Sequence, residues 1–166
     1  SQGGYASHGH AIVANSTAAF KQLYHDERVL ESDAYTAYTT LPTGGAMRGY
    51  GIPQVDFAAE CLSDDIALAL HMDPIEYRLK NCIREGYRDP GTGISFLSYG
   101  MRECIERGRK AFHWDEKRKE YQNQTGDIRR GVGMAIFVYK TGVYPISLET
   151  AGARLTLNQD GTVMLQ

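Results

Sequence analysis

Cysteine is scarce in this chain of 166 residues: there are three, Cys61, Cys82 and Cys104. They form no Cys-x-x-Cys pair, which leaves out the common zinc and iron–sulfur patterns. An odd, scattered set fits a reducing cytoplasm better than a disulfide framework. Cys61 and Cys104 fall on apolar helix faces and read as small core residues. A basic excess is missing too, since 18 Lys and Arg face 20 Asp and Glu for a net charge of −2. That balance offers no footprint for nucleic acid. No apolar run is long enough to span a bilayer and no signal-peptide pattern is seen, so nothing argues for membrane insertion or secretion. There is no Gly-x-x-x-x-Gly-Lys-Ser/Thr, and the glycines nowhere fall as Gly-x-Gly-x-x-Gly, so the two familiar phosphate loops are absent.

The chain does have an ordinary globular composition, 42% hydrophobic and 23% charged, in a length sufficient for one domain with a sizeable core. Glycine concentrates in one place. Gly44, Gly45, Gly49 and Gly51 enclose Arg48 and Tyr50 and run into Ile52-Pro53-Gln54. Glycine permits positive φ and close approach of the backbone to a ligand. Pro53 suits the first turn of a helix. Val55, Ala58, Ala59, Leu62, Ile66, Ala69 and Leu70 then recur at helical spacing, which predicts a helix over 52–70. Free N–H groups at such a helix start favour an anion. Arg48 adds a permanent planar charge and Tyr50 a flat aromatic face. From the residues alone, a pocket for an anionic planar ligand competes with an ordinary tight turn before a helix.

The rest is read in order. His8 and His10 are two apart, with no third ligand of suitable spacing nearby. A helix is predicted over 11–24, interrupted by Asn15, Ser16 and Thr17, and a partly alternating strand over 30–40. Asp64 and Asp65 read as a solvated face. Asp73-Pro74-Ile75-Glu76 is a helix-start signal with Asp73 as the cap. Ile75, Leu79 and Cys82 give its buried face, and Arg78 and Lys80 read as solvated or paired with Glu76. A further helix is predicted over 98–112. The mixed charge run 115–120 reads as an exposed helix end tacked down by Trp114 and Tyr121. Gly131 to Tyr139 is apolar on both faces, the pattern of a buried central strand. The alternating segments 153–157 and 162–165 flank Asn158-Gln159-Asp160-Gly161, a hairpin signal. The fold class expected is α+β: several helices packed on a small, mostly antiparallel sheet, helical over about 52–124 and β-rich over about 130–166.

Ala46-Met47-Arg48-Gly49-Tyr50-Gly51-Ile52-Pro53-Gln54 resembles the Ala-Phe-Arg-Gly-Phe-Gly-x-Pro-Gln signature of the molybdenum hydroxylases, the xanthine dehydrogenase and aldehyde oxidase family. Met72-Asp73-Pro74-Ile75-Glu76-Tyr77-Arg78-Leu79-Lys80-Asn81 is similar to that family's Met-Asp-Pro-x-Glu-x-Arg-x-x-Asn segment. Gly4-Tyr5-Ala6-Ser7-His8-Gly9 is similar to a run found in its bacterial members. The chain opens on Ser1 and stops at Gln166 within a strand pattern, and so reads as an internal fragment of the molybdopterin-binding domain of a larger chain.

The resemblance implies a molybdopterin cofactor with molybdenum. It places Met47, Arg48 and Gly49 at the cofactor, with the Arg48 backbone amide near the metal and no side-chain metal ligand. Tyr50, where the family has Phe, would face a small heteroaromatic substrate. Met47 departs from the family's Phe and leaves a softer wall. Val143-Tyr144 falls near another substrate-facing segment. The implied reaction is hydroxylation of hypoxanthine or xanthine with water-derived oxygen, its general-base Glu lying outside this chain. Electrons would leave through 2Fe-2S clusters and FAD on partner subunits or domains. An arginine that orients purines is expected early in the chain, and none precedes Arg28. Another heteroaromatic or an aldehyde therefore stands as the alternative substrate, and a non-catalytic α+β assembly domain as the alternative function. The fragment alone is expected to be inactive.

Overall fold

A computed structural model describes residues 1–19, 22–24, 31–90, 93–139 and 151–166. Its elements are α1 (Gly9–Ala19), α2 (Ile52–Ala69), α3 (Pro74–Asn81), α4 (Met101–Phe112), α5 (Trp114–Glu120), β1 (Leu155–Leu157) and β2 (Val163–Leu165). The strands pair antiparallel, Leu155 opposite Leu165 and Leu157 opposite Val163. The α+β class holds, with a helical share larger than the sheet among the described residues.

Local chemistry explains the helix boundaries. α2 starts at Pro53 in its first turn, after Gly51 at φ 96°. α3 starts as its sequence signal demands: Asp73 accepts from the Ile75 amide at 2.8 Å, which satisfies one orphan donor of the first turn. α4 stops where His113 turns to φ 55°, and α5 follows directly. The hairpin turn closes through Asp160, whose carboxylate accepts from the Thr162 amide at 2.9 Å.

The core lies where α3, α4 and α5 meet. Leu23, Tyr24, Ile75, Leu79, Cys82, Ile105, Trp114 and Ile136 form one buried cluster. Removing each large apolar side chain from water contributes about 1.5–3 kcal/mol. Trp114 does more than tack down a helix end. It is 2% exposed, and its Nε1 donates to Asp73 Oδ2 at 3.0 Å, tying α5 to the cap of α3. Arg109 adds an outer clamp, paired bidentately with Asp115 at 2.7 and 2.9 Å and also with Glu76.

Several expectations are corrected. Residues 131–139 form no strand. Only one face of the segment packs: Ile136 is buried, with Val132, Met134 and Val138 against the core, while Phe137 and Tyr139 are exposed. Its Ile136 amide donates to the Glu60 carboxylate at 2.8 Å, not to a neighbouring strand. The β-rich part expected over 130–166 therefore amounts, among the described residues, to the 155–165 hairpin. The strand expected over 30–40 is reduced to a single bridge between Tyr38 and Gly3. Cys61 and Cys104 are exposed, and Cys82 is the buried thiol. Arg78 is neither solvated nor paired with Glu76; it is fully buried. Asp64 belongs to its network and is not part of a purely solvated face.

Candidate functional site

The loop from Gly44 to Gly51 is held from two sides. From one side the N-terminal segment pairs with 37–44: Gln2 N donates to Ala37 O at 2.9 Å, and Gly44 N to Gln2 O at 2.8 Å. From the other side α1 grips the loop exit. Asn15, 6% exposed, donates to the Tyr50 carbonyl at 2.7 Å, and Ser16 donates to the Gly51 carbonyl at 2.8 Å. In the sequence these two residues look like interruptions of a helix. Their spacing carried no signal, because the partner is a backbone 35 residues away.

Between these anchors the backbone takes three successive left-handed residues, Gly49 at φ 93°, Tyr50 at 45° and Gly51 at 96°. Only glycine takes that region freely, so Tyr50 is held there by its neighbours. At Gly51 a Cβ would meet Ser16 Oγ at 2.4 Å and the Ile12 carbonyl at 2.5 Å, whereas at Gly45 it would meet nothing within 4 Å. The loop is thus packed at its exit and open at its middle.

That open middle keeps its donors free. The amides of Gly45, Ala46, Met47, Arg48 and Gly49 donate to no acceptor among the described residues. The Arg48 side chain is exposed and makes no ion pair there. Met47, Arg48, Gly49, Ile52, Pro53, Asp56, Phe137 and Tyr139 line a cavity of about 570 Å³. The three residues expected at a cofactor are therefore brought together on one wall. Tyr50 faces elsewhere: its ring meets His8 edge to face, centroids 6.3 Å apart. His8 and His10 join no cluster of three possible metal ligands among the described residues. Val143 and Tyr144 lie outside the described residues.

Behind the cavity wall sits a buried polar network. Glu60 is 4% exposed. It accepts from Tyr24 Oη, from Arg78 Nε at 2.7 Å and from Ile136 N at 2.8 Å. Arg78 also reaches Asp64 at 2.7 Å, the Pro74 carbonyl at 3.1 Å and the Glu60 carbonyl at 3.2 Å. Burial opposes the Arg78 charge, but the hydrogen bonds it donates to Glu60 and Asp64 outweigh it and the pKa rises. Burial, aided by Glu60, pushes the Tyr24 hydroxyl up. Asp56, one turn before Glu60, is pushed up to about 6, by burial first and the Glu60 charge second, with Arg78 opposing.

Residues 1–82 match a family described as a molybdopterin cofactor-binding domain, and residues 107–166 match a second family of the same description. This chain belongs to the molybdopterin-binding family of the molybdenum hydroxylases. It is 49% identical, over 99% of its length, to the xanthine dehydrogenase molybdenum-binding subunit of Escherichia coli O157:H7, of which it covers 22%. It is 38% identical to an aldehyde oxidoreductase of Megalodesulfovibrio gigas over 77% of this chain and 14% of that one. The solved aldehyde oxidoreductase of Desulfovibrio desulfuricans superposes with a TM-score of 0.76 at 30% identity, over 99% of this chain and 18% of that one. The chain thus spans between 14% and 22% of the length of these relatives.

The loop suits the cofactor class that the family name implies. Five successive uncommitted amides beside a glycine with open space above it form a surface on which an acceptor-rich ligand can be held by backbone alone.

Proposed function

We propose that this chain is part of the molybdenum-binding subunit of a xanthine dehydrogenase-like enzyme that hydroxylates purines, hypoxanthine or xanthine, with water-derived oxygen. The observation that carries the reading is the row of amides from Gly45 to Gly49 without acceptors among the described residues, of which Met47, Arg48 and Gly49 line the loop cavity, in a chain 49% identical to such a subunit. Residues 1–166 would then form one piece of the molybdopterin-binding domain, helical through about 52–124. The protein would work in the cytoplasm with FAD and 2Fe-2S partner subunits or domains.

When bound, the molybdopterin supplies the metal centre at which the substrate carbon is oxidised by two electrons. This chain's residues bind and orient. The backbone of Met47, Arg48 and Gly49 holds the cofactor, with the Arg48 amide on the metal side. The α1 clamp through Asn15 and Ser16 fixes the loop so that those amides need no rearrangement on binding. Tyr50 stays assigned to the substrate, with its ring or hydroxyl, although its ring turns to His8 and does not line the loop cavity. The general-base Glu comes from outside this chain.

An aldehyde or another heteroaromatic is the second reading. It is favoured by the relatives named aldehyde oxidoreductase and by the lack of an arginine before Arg28. The test uses the full-length protein purified with its partners from a host that makes the cofactor. Molybdenum near one per chain, a fluorescent oxidised pterin and turnover of hypoxanthine or xanthine are expected. Turnover confined to aldehydes selects the second reading. Absence of molybdenum overturns both and leaves an assembly domain. The isolated 166-residue chain is expected to turn over nothing.

A further inference from the structure

Asp56 differs from the other carboxylates around it. Glu60 has three donors, Asp64 has Arg78, and Asp73 has the Ile75 amide and the Trp114 indole. Asp56 Oδ1 is buried and has no hydrogen-bond partner among the described residues. The carboxyl is half-buried and lines two adjoining cavities, the loop cavity and one of about 350 Å³ shared with Phe57, Glu60, Cys61, Asp64 and Met134. An ionised carboxylate with one oxygen sealed from both water and donors is costly. The neutral acid is not, and it carries a donor. The charged and titratable groups around it are Arg48 on the loop, Glu60, Asp64 and Cys61 on α2, Arg78 on α3 and Tyr139 on the extended segment. The nearest of these through the chain, Glu60, is an anion committed to other donors, and so favours the neutral form too.

The remaining walls state what such a donor could meet. Phe137 and Tyr139 supply flat apolar surface, Met47 an adaptable one, and Arg48 a planar cation unpaired among the described residues. These surfaces suit an aromatic ring with electron-rich edge atoms. We propose that Asp56 is a ligand-binding residue of the loop cavity, donating as a neutral acid to a ring carbonyl or ring nitrogen of a flat heteroaromatic held between Arg48 and the Phe137–Tyr139 edge. The inference rests on the molybdenum hydroxylase reading, under which two heteroaromatics carry such acceptors: the cofactor's pterin and the substrate.

The test compares D56N, which keeps a donor in nearly the same shape, with D56L, which removes it, in the full-length protein with its partners. Pterin and molybdenum content, hypoxanthine affinity by calorimetry and the melting temperature are measured. If the acceptor belongs to the pterin, D56L falls below half the wild-type cofactor content while D56N keeps it. If it belongs to the substrate, D56L retains cofactor but binds hypoxanthine about tenfold more weakly, and D56N stays within about threefold. Either pattern supports the proposal. It is overturned if both variants match wild type in content and affinity, or if D56N loses as much as D56L at an unchanged melting temperature. Wild-type protein that holds molybdenum yet shows that indifference loses only this inference. Wild-type protein without molybdenum loses the family reading of function with it.

Discussion

The middle and the start of α2 treat polar groups in opposite ways. Around Glu60 every strong donor is used inside the protein: Tyr24, Arg78 and the Ile136 amide converge on one buried carboxylate. Around Gly45–Gly49, in the loop that feeds α2, five amides and a guanidinium are left without partners among the described residues. Interiors rarely leave polar groups unmatched, and the first region is finished by folding; the second lies on mostly exposed residues and stays open to a ligand. A closed network fixes geometry, and an open row of donors receives a ligand. Glu60 and Asp64 line the adjoining cavity, and through Ile136 the network also fixes the segment that brings Phe137 and Tyr139 to the rim of the loop cavity.

The hardest way to break the contrast is to open the closed side. Arg78→Ala strands the Glu60 carboxylate in a site from which water is excluded, and removes the link to Asp64. A loss of about 3–5 kcal/mol is expected, since breaking a buried pair leaves an uncompensated charge. Denaturant unfolding of the full-length protein would read it. A loss under about 1 kcal/mol would mean the network is decorative. Replacing both partners, with Arg78→Met and Glu60→Leu, should cost less than Arg78→Ala alone, because no charge is then left behind.

A smaller effect comes from testing the loop's own packing. Gly51→Ala puts a Cβ at 2.4 Å from Ser16 Oγ and 2.5 Å from the Ile12 carbonyl, at φ 96°. Left-handed strain of about 1–2 kcal/mol adds to overpacking of about 1–3 kcal/mol. Gly45→Ala meets nothing within 4 Å and should leave stability within about 0.5 kcal/mol. If Gly45→Ala destabilises as much as Gly51→Ala, the loop has no open side and the proposed ligand face is lost.

What was legible in the sequence divides along a similar line. α2, the Asp73 cap and the 155–165 hairpin came out of the chain correctly because their signals are local: a proline in the first turn, a cap two residues from the amide that donates to it, a turn between alternating runs. The glycine-rich loop was legible through its composition. Arg78 was misread because its partners Glu60 and Asp64 lie 18 and 14 residues away on another helix. A lone Arg beside Glu76 in sequence gives no hint of that. Cys61 was misread because the face of α2 that packs against α1 and α3 carries Ala59, Glu60, Ser63 and Ala67, with a buried Glu where periodicity expects an apolar residue. Residues 131–139 mislead for the same reason. Their apolar residues face two ways, one set to the core and one to the cavity rim, and that is not the burial on both faces that a central strand requires. Asn15 and Ser16 read as flaws in a helix until the carbonyls they hold are seen.

The smallest effect on stability sharpens the comparison most. Arg48 is exposed and without a partner among the described residues, so Arg48→Ala should shift stability by no more than about 0.5 kcal/mol. The substitution leaves the backbone N–H in place. If the cofactor is held by the loop's amides, molybdenum and pterin content should stay near wild type, while affinity for the heteroaromatic substrate weakens through loss of the cationic wall. Arg48→Lys should recover only part of that affinity, because an ammonium lacks the planar fork. A collapse of cofactor content in Arg48→Ala, with stability unchanged, would shift the holding role from the backbone to the guanidinium. The free amides would then be an incidental feature of a glycine-rich turn, and the distinction between the two parts of α2 would rest on one side chain.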